Sequence, residues 1–185
     1  MRKTAAVPVI RSARARDARA LAELAESTFR ATFGAMNSAA HMQTHCRALY
    51  GEAIQAAEIA DPDRETLLCE HDGGLIAYAQ LRWGEAPECV VATRPGEIQR
   101  LYVADAWHGA GIAQALMQAS IERMRQRASD VVWLGVWEHN PRALAFYRKV
   151  GFAVAGEHVF PLGGDPQRDL VMVLPLAARG GRSHA

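Results

Sequence analysis

Long apolar runs, paired cysteines and a one-sided charge are all missing from this chain of 185 residues. No stretch approaches the ~18 consecutive apolar residues that a membrane span requires. The opening MRKTAAVPVIRSARARD carries no apolar core of a secretory signal. Cys46, Cys69 and Cys89 are odd in number, widely spaced and free of any CxxC pair, which argues against a disulfide framework and against a zinc site. No metal is therefore expected, and a reducing, cytoplasmic location is. A formal net charge of +1 leaves no basic footprint for nucleic acid and no acidic tail. Arg11, Arg14, Arg16 and Arg19 interleave with alanines and read as the solvated edge of a helix. Internal repeats are absent too.

What remains is ordinary globular material, half of it hydrophobic, and its length suits one domain. That domain is expected over residues 1–178, with 179–185, which contain Gly180-Gly181, as a frayed tail. Val7 to Arg11 reads as a short strand. From Asp17, the residues Leu21, Leu24, Ala25, Thr28, Phe29 and Phe33 recur at intervals of three and four, the stripe of an amphipathic helix. Ser38 is placed to cap a second helix with Met42, Cys46 and Leu49 inward and Gly51 at its end. Glu52 to Ala60 reads as a third. Thr66–Glu70 and Leu75–Trp83 flank His71-Asp72-Gly73-Gly74 as a hairpin, and residues 84–96 read as a loop.

A strand at Glu97–Val103, a helix from Ala110 to about Arg127 and an apolar strand at Val131–Trp137 then imply a right-handed parallel crossover. The inward stripe of that helix is Ala113, Leu116, Met117, Ser120 and Met124. Asn140, Pro141 and Gly151 punctuate a further helix with Leu144, Tyr147 and Val150 on one side. Phe152–Phe160 and Asp169–Leu174 close the chain as an antiparallel pair around Gly163-Gly164-Asp165-Pro166. The expected class is mixed α/β, with a central parallel pair flanking the turn Trp107-His108-Gly109-Ala110-Gly111-Ile112-Ala113.

Such a turn leads into a helix whose first amides have no intrahelical partner and whose dipole adds positive charge, so phosphate binds there readily. Two glycines alone are equally consistent with a tight turn. A dinucleotide fingerprint fails on Gln114, which stands where the third small residue belongs, and on Asp130, which precedes the next strand rather than ending it. No GK[ST] follows, which removes a P-loop.

His108-x-x-Gly111-x-Ala113 after Ile98–Val103, followed by Asn140-Pro141-Arg142-Ala143-Leu144-Ala145-Phe146-Tyr147-Arg148-Lys149-Val150-Gly151-Phe152, resembles the GNAT superfamily of acetyl-CoA-dependent N-acetyltransferases over nearly the whole chain. Within it, Thr28–Phe33 with Asn37-Ser38, Trp133–Glu138 with Asn140, and Gly156-Glu157-His158 before Asp169-Leu170 look like the bacterial spermidine/spermine N-acetyltransferases. The resemblance implies a mostly antiparallel sheet with a central parallel strand pair, flanked by helices.

It further implies that acetyl-CoA is held through its pyrophosphate by His108, Gly109, Ala110, Gly111, Ile112, Ala113 and Gln114. The pantetheine arm would lie on the main chain of Leu101, Tyr102 and Val103, near Asn140 and Tyr147. His108 departs from the family's Arg or Gln. Tyr147 matches the phenolic acid that serves the leaving thiolate.

A primary amine with a pKa near 10.4 needs roughly 4 to 5 kcal/mol to reach its neutral form at pH 7, so a base is required. Where polyamine acetyltransferases frequently carry Glu, this chain has Gln99. Glu97, two residues earlier on the same strand face, is the leading candidate, with Glu138 second and His158 available for a water relay. Trp137, Gln99, Glu138 and His158 are the expected acceptor contacts. Glu97, Glu138, Glu157, Asp165 and Asp169 are the carboxylates available to a polycation. Neither motif contains a cysteine, so transfer within a ternary complex is expected. Other small amines, amino acids or peptides as acceptors, and a CoA-binding module with little turnover, are the alternatives. The oligomeric state is open, a homodimer included.

Overall fold

Seven strands and five α-helices make up the residues described by the computed structural model, 7–162 and 165–177. In chain order they are β1 (Val9–Ser12), α1 (Ala18–Phe33), α2 (Ala39–Leu49), α3 (Glu52–Ala60), β2 (Arg64–His71), β3 (Gly74–Trp83), β4 (Pro95–Val103), α4 (Ile112–Gln126), β5 (Val131–Trp137), α5 (Pro141–Val150), β6 (Ala153–Leu162) and β7 (Asp165–Pro175). The sheet runs β1-β2-β3-β4-β5-β7-β6. Only the β4–β5 pairing is parallel among the described strands. The mixed α/β class with a central parallel pair is therefore the observed one.

Local signals act where the residues place them. Ser38 Oγ accepts the amide of His41 at 3.1 Å and starts α2, and Asn140 Oδ1 accepts that of Ala143 at 3.1 Å and starts α5. Gly151, at φ +111°, stops α5 in a conformation that costs any other residue strain. The stripe of α1 is buried at Leu21, Ala25, Thr28, Phe29 and Phe33. This stripe and Met42, Cys46 and Tyr50 cover Leu68 and Tyr78 on one face of the sheet. On the other face, Leu116, Met117 and Met124 of α4 and Leu144 of α5 pack on Ile98, Val132 and Leu134.

Several boundaries differ from expectation. Helix α4 begins at Ile112, not Ala110, because Gly109 and Gly111 take φ of +81° and +80° and hold the turn outside the helix. Ile112 and Ile121 join its buried stripe, while Ala113 is only half-buried. Strand β7 starts at Asp165, because its pairing with β6 continues to Leu162↔Asp165. Phe152 precedes β6 and is buried. The expected tail at 179–185 lies outside the described residues.

The arginine cluster divides. Arg14, Arg16 and Arg19 are exposed as expected, whereas Arg11 grips Asp17 through two nitrogens at 2.7 and 3.0 Å and reaches Glu70 at 3.0 Å. Asp17 also accepts the Arg14 amide, and Arg11 holds its carboxyl below the usual carboxylate range. No helix among the described residues is long and apolar enough to cross a membrane.

Candidate active site

Three residue pairs join β4 to β5: Pro95↔Val131, Gly96↔Val132 and Glu97↔Trp133. Past them the strands part, β4 following β3 to Val103 and β5 following β7 to Trp137↔Asp169. The cause lies partly in β4 itself. Gln80 faces Arg100 while Leu81 faces Ile98, so Gln99 is an extra residue, and a bulge of this kind bends and twists its strand. The parting opens a cleft of about 900 Å³. Along its wall, residues 98–103 present an edge with no strand beside it, ready to pair with an extended ligand.

At the far end of that edge lies the glycine turn. Gly109, Gly111, Ile112, Ala113 and Gln114 line the cleft, and a Cβ built on either glycine would meet nothing within 4 Å. The first helical amide to find its carbonyl is Ala115, bonded to Gly111 at 3.0 Å, so the amides of Ile112, Ala113 and Gln114 stand before the ladder begins. A cradle of this form accepts a pyrophosphate. Ala110 is outside it: its amide donates to Trp107 O at 3.3 Å and the residue does not line the cleft. His108 lines the cleft, but its Nε2 donates to Val103 O at 2.9 Å, tying the turn to the end of β4. Replacing Gly111 with alanine should cost roughly 1 to 2 kcal/mol of stability through its left-handed backbone. It should also weaken binding of the expected acetyl-CoA at least ~5-fold in titration calorimetry, as the new methyl enters the cradle. Unchanged affinity would mean that the turn is only structural.

Leu101, Tyr102, Val103, Asn140 and Tyr147 all line the same cleft. Tyr147, half-buried on α5 between Phe146 and Phe152 at ring distances of 5.4 and 5.9 Å, has its phenol pushed up to about 12 by burial. It stays protonated across the physiological range.

Beside the cleft is a smaller depression of about 380 Å³, sharing Gln99, Gly135, Phe160 and Asp169 with it and adding Glu97 and His158. Glu97 is buried, and its Oε2 accepts from Arg82 at 2.7 Å. Burial pushes this carboxyl up, and Arg82 pulls it back only in part. His158 Nε2 lies 3.8 Å from Asp169 Oδ2. Gly135 keeps the two spaces open to each other, since a Cβ there would stand 3.1 Å from His158 Nε2 and 3.4 Å from Asp169 Oδ2. Gln99 accepts from Arg64 at 2.9 Å. Glu138 lines neither space and pairs with Arg168 at 3.0 Å, as Glu157 does at 3.3 Å.

The other end of the cleft, between α1, α2 and β6, is aromatic. Phe29 stacks on His45 at 4.4 Å, Phe33 meets Trp137 at 6.0 Å, and His45 meets Phe160 at 5.6 Å. His45 and Gly135 are additions to the sequence-derived set. His45 falls between Met42 and Leu49 in the buried stripe of α2, a signal visible in the spacing, whereas the role of Gly135 depends on which side chains lie across the sheet.

A model of the Acetyltransferase (GNAT) family matches residues 18–152. An uncharacterized N-acetyltransferase of Mycobacterium tuberculosis (strain ATCC 25618 / H37Rv) is 34% identical over 160 residues, spanning 86% of this chain and 98% of that protein. An uncharacterized N-acetyltransferase of Lactobacillus delbrueckii subsp. lactis is 33% identical over 149 residues, 80% of this chain and 86% of that one. Among solved structures, PaiA N-acetyltransferase from Thermoplasma acidophilum in complex with coenzyme A superposes with a TM-score of 0.75 at 22% identity, covering 92% of this chain and 99% of that one.

Proposed function

We propose a direct-transfer mechanism for this chain, which belongs to the acetyltransferase (GNAT) family and is an acetyl-CoA-dependent N-acetyltransferase. The observation that carries the site assignment is the meeting, in one cleft, of the unpaired β4 edge and the positive-φ glycine turn. Main-chain groups of Leu101, Tyr102 and Val103 pair with the pantetheine arm, and the amides of Gly109 and residues 111–114 hold the pyrophosphate. His108 and Asn140 act as supports, one fixing the turn and the other capping α5. The coenzyme A bound to the Thermoplasma protein, which shares this fold, supports the choice of ligand.

The acceptor amine enters as its ammonium and loses a proton into the side depression, through Asp169, His158 and water, to Glu97. The raised pKa of Glu97 suits it to receive that proton. The neutral nitrogen then attacks the thioester carbonyl: the C–N bond forms, the C–S bond breaks, and one of the two protons still on that nitrogen ends on the departing sulfur by way of Tyr147, the other staying on the amide. No cysteine lines the cleft among the described residues, and burial pushes the Cys46 and Cys69 thiols up, which suits transfer without an acetyl-enzyme.

A polyamine is the finer reading suggested by the resemblance, and Asp169 on the cleft wall favours it. Against it, Glu138 and Glu157 already share Arg168, and Glu97 holds Arg82. An additional ammonium buried at the aromatic end would lose several kcal/mol of hydration. The ring faces would return about 0.5 to 2 kcal/mol.

Thiol release from acetyl-CoA across a panel of amines, spermidine included, tests this mechanism. Glu97→Gln should lower kcat/KM by about 10²-fold and flatten the acid limb of its pH profile, because the group that must be unprotonated is gone. Retention of both rate and limb would remove Glu97 from the proton path.

A further inference from the structure

The aromatic end of the cleft contributes nothing to the acetyl-transfer chemistry above, yet it is a built site. Phe29, Phe33, His45, Trp137 and Phe160 wall it. His45 is 4% exposed, and its Nε2 is a buried polar atom that meets no hydrogen-bond partner among the described residues. Buried polar atoms are nearly always paired, so an orphan nitrogen lying just behind the cleft wall, on a ring that lines the cleft, calls for a partner that an occupant brings as the wall adjusts to it. The neighbouring charge does not fill that role: Arg100 is engaged by Glu58 at 2.9 Å and by Gln80, and it lies over the Tyr50 ring. Burial, with a smaller contribution from Arg100, lowers the His45 pKa to about 4, so the ring is neutral, with one nitrogen to donate and one to accept.

Charge also limits the occupant. Asp169 is the one carboxylate among the described residues that line the cleft. One carboxylate matches one ammonium. A second cation at the aromatic end would find ring faces and Arg100, and cation–π attraction does not offset the burial of an unpaired ammonium.

We propose that this end is the acceptor subsite for a primary amine carried on a single aromatic body, whose hydroxyl pairs with His45 Nε2. The inference rests on the acetyl-transfer reading and names its acceptor class. A phenolic hydroxyl both donates and accepts, so it satisfies His45 in either tautomer. Aromatic pairs are favoured in offset or edge-to-face contact, and Phe29, Phe33, Trp137 and Phe160 offer rings for it.

The test compares phenethylamine, tyramine and spermidine as acceptors for the intact chain and for His45→Phe, with acetyl-CoA binding measured separately by calorimetry. Phenethylamine should exceed spermidine at least tenfold in kcat/KM, and tyramine should exceed phenethylamine about fivefold. His45→Phe should bring the tyramine-to-phenethylamine ratio close to one while leaving the affinity for acetyl-CoA within about twofold. Spermidine turnover equal to or better than that of the aromatic amines overturns the subsite, with no variant needed, and leaves acetyl transfer standing. A ratio unmoved by His45→Phe also overturns it. Acetyl-CoA binding without turnover of any amine overturns both readings.

Discussion

Replacing Tyr147 by phenylalanine should lower kcat by about 10²- to 10³-fold while leaving the Kd for acetyl-CoA within about twofold, as measured by thiol release and calorimetry. The size follows from two pKa values. Burial puts the Tyr147 phenol at about 12, and a leaving thiol lies near 8.5. Giving up its own proton outright would therefore be uphill by about 5 kcal/mol. The phenol works instead by donating a hydrogen bond to the sulfur as charge develops there, and its proton moves only as the attacking nitrogen supplies another. Phenylalanine keeps the ring contacts with Phe146 and Phe152 and removes the hydroxyl alone. The sign of the shift adds a second readout. A group protonated up to about pH 12 causes no fall in kcat between pH 7 and 10, so an alkaline limb in that range that disappears in Tyr147→Phe would contradict the raised pKa. A kcat unchanged by the substitution would return Tyr147 to the packing of α5.

The largest expected effect on stability is at Glu58. From α3 it accepts Arg100 at 2.9 Å, Gln80 at 3.0 Å and Arg64 at 3.2 Å, beneath the β4 bulge. Arg100 is 8% exposed, so its charge is left largely buried when Glu58 is removed. Glu58→Ala should therefore cost about 3 to 5 kcal/mol, the usual penalty for orphaning one member of a buried ion pair. At this chain length that lowers Tm by roughly 10 °C, read by circular dichroism on heating. The double variant Glu58→Leu with Arg100→Met should recover most of the loss, because two apolar side chains replace two charges. A Tm within about 3 °C of the parent for Glu58→Ala would show that water reaches Arg100 and that the network is not buried in solution.

Tyr147 was visible in the sequence because its helix is punctuated by Asn140, Pro141 and Gly151, and because the Asn-to-Phe segment stands at the right distance from the glycine turn. Glu97 was visible as a carboxylate on the strand before that turn. Its pairing with Arg82 was not, since that contact crosses from β3 to β4. Glu138 shows the limit of local reading: it follows an apolar strand at an apparent pocket mouth, yet Arg168 from β7 takes it up. The solvated-face reading of the arginines failed only at Arg11, whose partners are Asp17 and, 59 residues away, Glu70.

The amino-acid sequence by itself determined the order of elements, the capped starts of α2 and α5, the glycine stop of α5, and the glycine turn. Each of these depends on residues within one or two helical turns of one another, where spacing and backbone preference suffice. Tertiary structure decided the rest. The parting of β4 from β5 arises from register and from a bulge that appears only against β3. The joining of Gly135, His158 and Asp169 arises from three neighbouring strands, and the aromatic wall around His45 from helices and strands distant in the chain. Contacts between distant residues are set by packing of the whole domain, and no local period encodes them.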